Sequence, residues 1–485
     1  MLFNSLDYFV FLALAVAGFW ALAHHRVARL AFIVVASCLF YMAANPKYIL
    51  LVLLSTVVDY VIGLRLGATE DERKRRVLLV CSLAFNLGIL AVFKYFDFWS
   101  SATASMASVL FGVEFSPFLL RWALPAGISF YTFQTMSYSI DVYRGKLPAE
   151  RSFLNFAFFV GYFPQLVAGP IVRAIDFLPQ IPKPAFISRL QVSRAFWLIG
   201  IGLFKKVVIA DYLAVNLVDR IFDAPERFSS IEVVLGLYAY TMQVYMRLLG
   251  RTRTSRIGSA LLMGFEIPRT STAPTQATNP AEFWRRWHMT LGRWLRDYLY
   301  FPLGGSRGGP VRAYFNLWLT MMLIGMWHGA AWTFVLYGFL QATVMVIHRF
   351  VVRHTGGSGE GQGREDAFAM RAFKVFWALQ FVVFSRILFR ASSMDNARAV
   401  VERIFSGSTS TAQISLALWA MLVVTFALHF TPQAWFRSVE RAFLQLPARS
   451  RGWRSGRWGP SCPRWPPVKP PRTSTSSSDE EAPPQ

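Results

Sequence analysis

Cysteine, histidine and acidic side chains are all scarce in this chain. Three cysteines occur in 485 residues. Cys38 and Cys81 lie inside apolar runs and Cys462 lies near the C-terminal end, so no disulfide framework is expected. Asp and Glu number 27 against 50 Lys and Arg. No metal site is expected from the few histidines and acids. Regular apolar–polar alternation over short segments is also missing, which excludes a closed transmembrane barrel. What is abundant instead is apolar surface: 54% of residues are hydrophobic and 16% aromatic. A soluble chain of this length would divide into domains with polar surfaces. Apolar segments recur here along nearly the whole chain, so its solvent is lipid and its fold an all-α helical bundle.

The net charge of +23 sits in loops, in one central stretch and in the tail. A basic balance can signal nucleic acid. Beside membrane spans, topology and anionic lipid explain it better, so the expected partner is membrane lipid and no nucleic acid. Spans are expected at Tyr8–Ala23, Leu30–Ala44, Ile49–Leu66, Val77–Phe93, Trp122–Ile140, Phe153–Val172, Phe196–Leu213, Ile231–Tyr245, the central Tyr314–Ile347 stretch, Phe373–Phe389 and Ile414–Phe430. These make about eleven crossings, with re-entrant and interfacial helices among them. Tyr8–Ala23 has no basic residues before it and no small-residue cleavage site, so it reads as a retained first span. Arg26 and Arg29 mark one cytoplasmic loop and Arg73, Lys74, Arg75 and Arg76 another, which puts the N-terminus outside. Asp59, inside the third span, reads as a structural partner within the bundle. Leu124-Pro125-Ala126-Gly127 and Ala168-Gly169-Pro170 interrupt two apolar stretches. Such breaks point to re-entrant pieces lining a cavity or to ordinary proline kinks.

Asn279-Pro280-Ala281-Glu282 opens a helix, with Asn as N-cap and Pro at the first position. Trp284, Trp287, His288, Leu291, Trp294, Leu295 and Tyr298 then share one face, and Arg285, Arg286, Arg293 and Arg296 fall largely on the other. This pattern predicts an interfacial helix with tryptophans at the acyl boundary and arginines among headgroups. His288 sits on its buried edge. The chain is organised around a later run, Met321 to Trp332, which holds His328 in a stretch free of charge from Tyr314 to Ile347. A histidine there is costly to desolvate and is a functional candidate by default. The plainer reading is a packing histidine bonded to a backbone carbonyl. Gly325 and Gly329 flank it four apart and open space for a close neighbour, helix or substrate. Further on, His354 to Gly363 reads as a flexible linker. From Pro447 onward the composition turns to Arg, Pro, Ser and acidic residues, as in a disordered tail.

Several motifs together resemble the membrane-bound O-acyltransferase (MBOAT) family, in its bacterial alginate O-acetyltransferase (AlgI-like) branch. They are NPAEFWRRWH at 279–288, WLRDYLYFPLGG at 294–305, WHG at 327–329, GISFYTFQ at 127–134, DVYRG at 141–145, FPQLVAGPI at 163–171 and GLFKK at 202–206. The likeness covers roughly Met1 to Pro432, and the combination is far more specific than any one motif. It implies a membrane domain over residues 1–443, a ring of tilted and re-entrant helices around a central funnel, followed by a basic, Pro/Ser-rich tail over 444–485. It implies that His328 takes the family's catalytic histidine position and His288 that of the second motif histidine. It also implies transfer of an acetyl group from a cytoplasmic donor toward an acceptor outside, across the bacterial inner (cell) membrane, with an extracytoplasmic SGNH-type protein completing transfer to a polysaccharide. No bound cofactor is implied, and the acyl donor is expected to be acetyl-CoA.

The chemistry suits the residues. A neutral imidazole can take a hydroxyl proton as the oxygen attacks a thioester carbonyl, and burial of His328 should favour the neutral ring. His288, or an N–H of Trp327 or Asn279, could orient that ring or stabilise the oxyanion. A covalent acyl-imidazole is the alternative. Lys205, Lys206, Arg285 and Arg286 could hold donor phosphates, or could equally contact lipid headgroups. Other substrates within the same fold are peptidoglycan or teichoic acid. Outside the enzyme class, a polysaccharide transporter predicts paired repeats and several intramembrane charges, which are not evident. A non-catalytic scaffold for the SGNH partner is a third reading.

Two stretches depart from the family pattern. Where it carries a segment of the form DFSGYSD, this chain has MRLLGRTRTSR at 246–256, with four arginines and no acid. Where it carries ENFDRPY, this chain has RTSTAPT at 269–275. Codons compatible with the second stretch read NFDRPY when displaced by two bases. Codons for Met246 to Gly250 read CDFSG when displaced by one. The window 246–275 and the tail therefore read as out-of-frame translation, which also accounts for part of the excess positive charge.

Overall fold

The structure is a computed structural model, and it describes residues 4–167, 169–247, 255–268, 271–355 and 368–445. The linker beyond Thr355, the tail beyond Gln445, and residues 248–254 and 269–270 of the window read as out of frame lie outside the described residues.

Every regular element among the described residues is a helix, as lipid demands of a chain that must satisfy its own backbone. Helices α1 (Leu6–Ala21), α2 (Arg26–Met42) and α3 (Ile49–Ala68) form a consecutive apolar group. α4 (Glu72–Leu90), capped by the Asp71 carboxylate on the N–H groups of Arg73 and Lys74, runs through a π turn at Ala91–Tyr95 into α5 (Phe96–Phe111). The result is one 40-residue helix from Glu72 to Phe111 rather than a span closing at Phe93. Ile49–Ala68 (with its preceding turn), Glu72–Phe111, Trp332–His354 and Phe368–Arg390 are long and apolar enough to cross a membrane. Among the described residues, a pair bent by 90°, Leu416–Phe430 with Ala434–Gln445, raises these four to five.

The expected span Trp122–Ile140 is not one helix. Residues up to Ala126 are irregular, and helix α6 (Ile128–Tyr143) begins at Gly127, whose φ of 78° favours glycine. Fourteen of the sixteen residues of α6 are buried, so it is a central strut and not a lipid-facing helix. Its hydroxyls and amides explain why: Thr132, Gln134, Thr135, Ser137 and Ser139 would each be costly against lipid. Across α3, α4 and α6, Asp59 accepts hydrogen bonds from Ser82 Oγ (2.5 Å), Asn86 Nδ2 (2.7 Å) and Ser139 Oγ (3.0 Å), while Asn86 Oδ1 accepts from Ser55 and Thr135. Asp59 therefore is the structural hub of three helices.

The next expected span, Phe153–Val172, is likewise broken, into α7 (Phe153–Gly161), α8 (Phe163–Leu166) and irregular chain leading to α9 (Ala174–Phe177). The two proline–glycine breaks meet: a Cβ on Gly127 would lie 2.3 Å from the Leu166 carbonyl. They are re-entrant pieces buried in protein, where freed backbone groups find partners; Ile171 N–H, for example, donates to Thr290 Oγ1.

The remaining helices are α10 (Arg189–Leu203), continued by π turns to α11 (Asp219–Asp223), then α12 (Ser230–Arg247), α13 (Ser255–Leu262), α14 (Pro280–Arg286), α15 (Met289–Leu295), α16 (Pro310–His328), α17 (Trp332–His354), α18 (Phe368–Arg390), α19 (Met394–Ile404), α20 (Leu416–Phe430) and α21 (Gln433–Gln445). Two apolar cores result. One joins α1–α4 and α6–α10 with α13; the other joins α11, α12, α18, α19 and α20. The segment from α14 to α16 crosses between them.

Candidate active site

The crossing explains the local geometry at His288. Phe283 and Trp287 pack in the second core, whereas Leu291, Trp294, Leu295 and Tyr298 pack in the first. A straight helix cannot serve both, so the chain breaks between them. His288 adopts φ 42°, a left-handed conformation rare for a non-glycine residue. It begins α15 as N-cap, its Nδ1 accepting the Leu291 N–H at 3.3 Å while its own N–H donates to Ser271 Oγ at 3.1 Å. The acceptor role of Nδ1 leaves Nε2 as the proton carrier in the neutral ring. The single interfacial helix expected here is therefore two short helices, and its tryptophans are not at the acyl boundary. Trp294 stacks on Phe133 at 4.0 Å and donates Nε1–H to the Phe133 carbonyl. Of the four arginines on the expected polar side, Arg285, Arg293 and Arg296 are exposed, and Arg286 is half-buried and paired with Glu282.

His328 is the last residue of α16, half-buried, and lines a cavity of about 280 Å³ with Lys94, Asp97, Trp122, Leu124, Gly329 and Ala330. Its position is set by a hairpin of α16 on α17. A Cβ on Gly325 would fall 2.3 Å from Gly338 Cα, and one on Gly329 would fall 2.2 Å from the Phe334 ring. The space opened by this glycine pair is filled by a helix.

Trp327 joins the two histidines. Its ring lies 5.5 Å from that of His288 and 5.0 Å from that of His328, edge-on to both. Phe130 and Phe133 pack around it, while its Nε1–H is buried with no hydrogen-bond partner among the described residues. The end of α16 leaves carbonyls unpaired, and two side chains of the π turn supply donors. Tyr95 OH donates to the Met326 carbonyl at 3.0 Å. Lys94 Nζ donates to the Trp327 carbonyl and to Ser129 Oγ, and lies 5.5 Å from the Trp327 ring. A cation is favoured at that helix end. Asp97, on the same cavity wall, accepts the N–H groups of Leu120 and Arg121 at 2.8 and 3.0 Å, which pins the irregular chain over the cavity.

On the far side of His328, Phe389 of α18 lies 4.9 Å away, ring to ring. A hydrogen-bond chain ties α14, α17 and α18 together: Trp284 Nε1–H donates to Gln341 Oε1 (3.1 Å), and Gln341 Nε2–H to Ser385 Oγ (3.1 Å). The neighbouring Arg386 is buried and lies 4.9 Å over the Trp287 ring.

His288, Trp327 and His328 are thus brought together, and the other expected site residues lie elsewhere in their own local structure. Asn279 is the N-cap of α14, its Oδ1 accepting the Glu282 N–H and its Nδ2–H donating to Thr278. Arg286 pairs with Glu282, and Lys206 with Asp211. Lys205 lies over the Phe436 ring. Sequence reasoning passed over Lys94, Asp97, Gln341 and Arg386. A lone lysine in the apolar run after Ile89 was the available signal; the π turn that aims it inward was not visible. Ser271 and Thr272, within the window read as out of frame, lie against this site, since Thr272 N–H donates to the Arg286 carbonyl.

Residues 146–379 match the model of the MBOAT, membrane-bound O-acyltransferase family. Among curated proteins, the chain is 37% identical over 445 residues to the "Probable alginate O-acetylase AlgI" of Pseudomonas putida, covering 90% of this chain and 87% of the relative. It is 35% identical over 459 residues to the protein of that name in Pseudomonas aeruginosa, covering 93% and 84%. It is 32% identical over 434 residues to the "Peptidoglycan O-acetyltransferase" of Helicobacter pylori, covering 83% and 79%.

Proposed function

The chain belongs to the membrane-bound O-acyltransferase family, and we propose that it passes an acetyl group across the bacterial inner membrane for O-acetylation of a secreted, alginate-like polysaccharide. The observation that carries this reading is His328, placed at the end of a helix, beside a cavity, with Trp327 and His288 behind it. The donor is acetyl-CoA. An extracytoplasmic SGNH-type partner delivers the acetyl group to sugar hydroxyls, and the apolar helices together with the re-entrant pieces make up the membrane domain. We also propose that the window 246–275 and the tail are out of frame.

In the step assigned here, the His328 imidazole takes the proton of an acceptor hydroxyl as the oxygen attacks the thioester carbonyl carbon. A C–O bond forms and the carbonyl electrons move to oxygen. The unpartnered Trp327 Nε1–H is a donor for that oxyanion, at a point where a missing acceptor is otherwise a cost. When the oxyanion collapses, the C–S bond breaks, and the thiolate leaves and takes the proton from imidazolium. If an acyl-imidazole forms instead, a burst of acetylated protein precedes turnover. His288, oriented by its cap bonds, supports the Trp327 ring. Arg285 and Lys205 are proposed phosphate contacts of the donor.

The test is transfer of labelled acetyl from acetyl-CoA in membranes holding the chain or its His328→Ala variant. Loss of about 10²–10⁴-fold at unchanged protein level is expected; transfer within a few-fold of the parent, with altered polymer export, would point to a transporter. The Helicobacter pylori relative supports peptidoglycan as a second acceptor, and acetyl analysis of both polymers decides between them.

A further inference from the structure

Arg386 has no role in the step above, yet its setting is unusual. Its side chain sits on a helix long and apolar enough to cross the membrane and is only 3% exposed. Its Nε is buried without a partner, and no hydrogen bond or ion pair joins it to any other described residue. Its guanidinium lies over the face of the Trp287 ring at 4.9 Å, with Tyr240 and Tyr337 also near it. Arg390, Arg75 and Arg29 each hold hydrogen-bond partners that Arg386 does not. Arg390, one turn along the same helix, pairs with Asp219 at 2.7 Å, Arg29 donates to two carbonyls, and Arg75 reaches four. A buried guanidinium is tolerated when hydrogen-bonded and paired, and cation–π contact offsets only part of that cost.

The position is fixed from several sides. Ser385, the preceding residue, receives the Gln341 hydrogen bond that locks α18 to α17 and, through Trp284, to α14. Trp287, under the guanidinium, precedes His288; Phe389, one turn on from Arg386, packs on His328. Arg386 is therefore bracketed by the neighbours of both histidines. Asp97, the acid on the cavity wall, is held by two backbone N–H groups and forms no ion pair with Arg386. Lys94, the other cation at the site, bonds a carbonyl and a hydroxyl. Among the described residues, no carboxylate forms an ion pair with either cation.

We propose that Arg386 is the site's receptor for an anionic group of a substrate, a phosphate or a carboxylate, held by the bidentate geometry that guanidinium offers to either. The location rests on the reading of His328 as the reacting centre; binding of an anion does not. The anion comes from one of two sources, the nucleotide end of the acyl donor or a charged group on the acceptor.

The experiment uses the full chain in lipid nanodiscs. Thermal unfolding is followed with and without inorganic pyrophosphate, for the parent, Arg386→Gln and Arg386→Lys, at matched ionic strength. The expected result is a pyrophosphate-dependent rise in midpoint for the parent, smaller in Arg386→Lys and absent in Arg386→Gln. No rise in the parent, or an equal rise in all three, overturns the proposal. If Arg386→Gln does not fold, the parent and Arg386→Lys decide it alone. Kinetics then assign the source. An increase of about tenfold in KM for acetyl-CoA but not for acetylpantetheine, which lacks the nucleotide, assigns the donor; an equal increase in acceptor KM with either donor assigns the acceptor. Arg386→Gln with unaltered KM for donor and acceptor overturns the substrate role. Because the unfolding arm needs no turnover, its failure is distinguishable from failure of the acetyl-transfer reading.

Discussion

Lys94 offers the sharpest test of how the site is held. Its ammonium bonds the carbonyl of Trp327, the residue before His328, and Ser129 Oγ on α6, and it sits beside the Trp327 ring. Replacing it by Met keeps the length and removes the charge and donors. Losing this charged hydrogen bond, and with it the donor to the Trp327 carbonyl, costs about 1.5–3 kcal/mol. Relief of the buried ammonium's desolvation offsets part of this. The net effect on stability is therefore modest, while the effect on position is not. Without its anchor the last carbonyls of α16 keep one side-chain donor, Tyr95 OH on the Met326 carbonyl, beside the packing of Trp327 and His328. A shift of about 1 Å in a catalytic group costs roughly 10²-fold in rate. Lys94→Met should lower kcat by about that factor, with a smaller change in donor KM. Tyr95→Phe, which removes one neutral hydrogen bond worth about 0.5–1.5 kcal/mol, should lie between parent and Lys94→Met. The assay is labelled acetyl transfer in nanodiscs, alongside thermal unfolding. A Lys94→Met protein with kcat within twofold of the parent would refute the claim that this lysine places His328.

Other expectations follow from the same geometry. Gly325→Ala should destabilise strongly, since its Cβ would meet Gly338 Cα at 2.3 Å; Gly88→Ala, with open space around it, should be neutral or stabilising by up to about 1 kcal/mol. Unfolding midpoints of the two variants check the contrast. Asp59→Ala strips the acceptor from Ser82, Asn86 and Ser139 and should cost several kcal/mol, roughly 1–3 for each buried donor left unpaired. Burial opposes ionisation of Asp297, but hydrogen bonds from Arg296 and Arg173 outweigh it and hold the carboxyl below its ordinary range. Its contribution to stability is thus present above the ordinary carboxylate pKa and lost as pH falls through the lowered one. Asp297→Asn should flatten the acid limb of the stability profile, and an unchanged limb would show that other acids dominate it. Sequencing the gene tests the frame proposal: codons that cannot be displaced into the two motifs would end it. If they can, restoring them should raise acetyl transfer, because Ser271 and Thr272 touch the backbone around His288.

Much of this protein was written in its residue order. The scarcity of acids, the recurring apolar runs and the uncharged surroundings of His328 determined a lipid-embedded helical protein with one conspicuous imidazole, because the cost of burying polar groups acts residue by residue. Asn279 announced its cap, and the proline–glycine breaks announced interrupted helices, because capping and backbone freedom are local. Tertiary structure decided the rest. Periodicity continued smoothly through Trp287 and His288, yet the helix breaks there, since its two halves are claimed by different apolar cores. Trp122–Ile140 looked like a span, but α6 is enclosed by protein because its hydroxyls find partners on α3 and α4. Lys94 and Arg386 lie 234 and 58 positions from His328 in the numbering. Only the π turn in one helix and the packing of α18 on α17 bring them to it, and contacts of that separation depend on how helices dock, which no local pattern encodes.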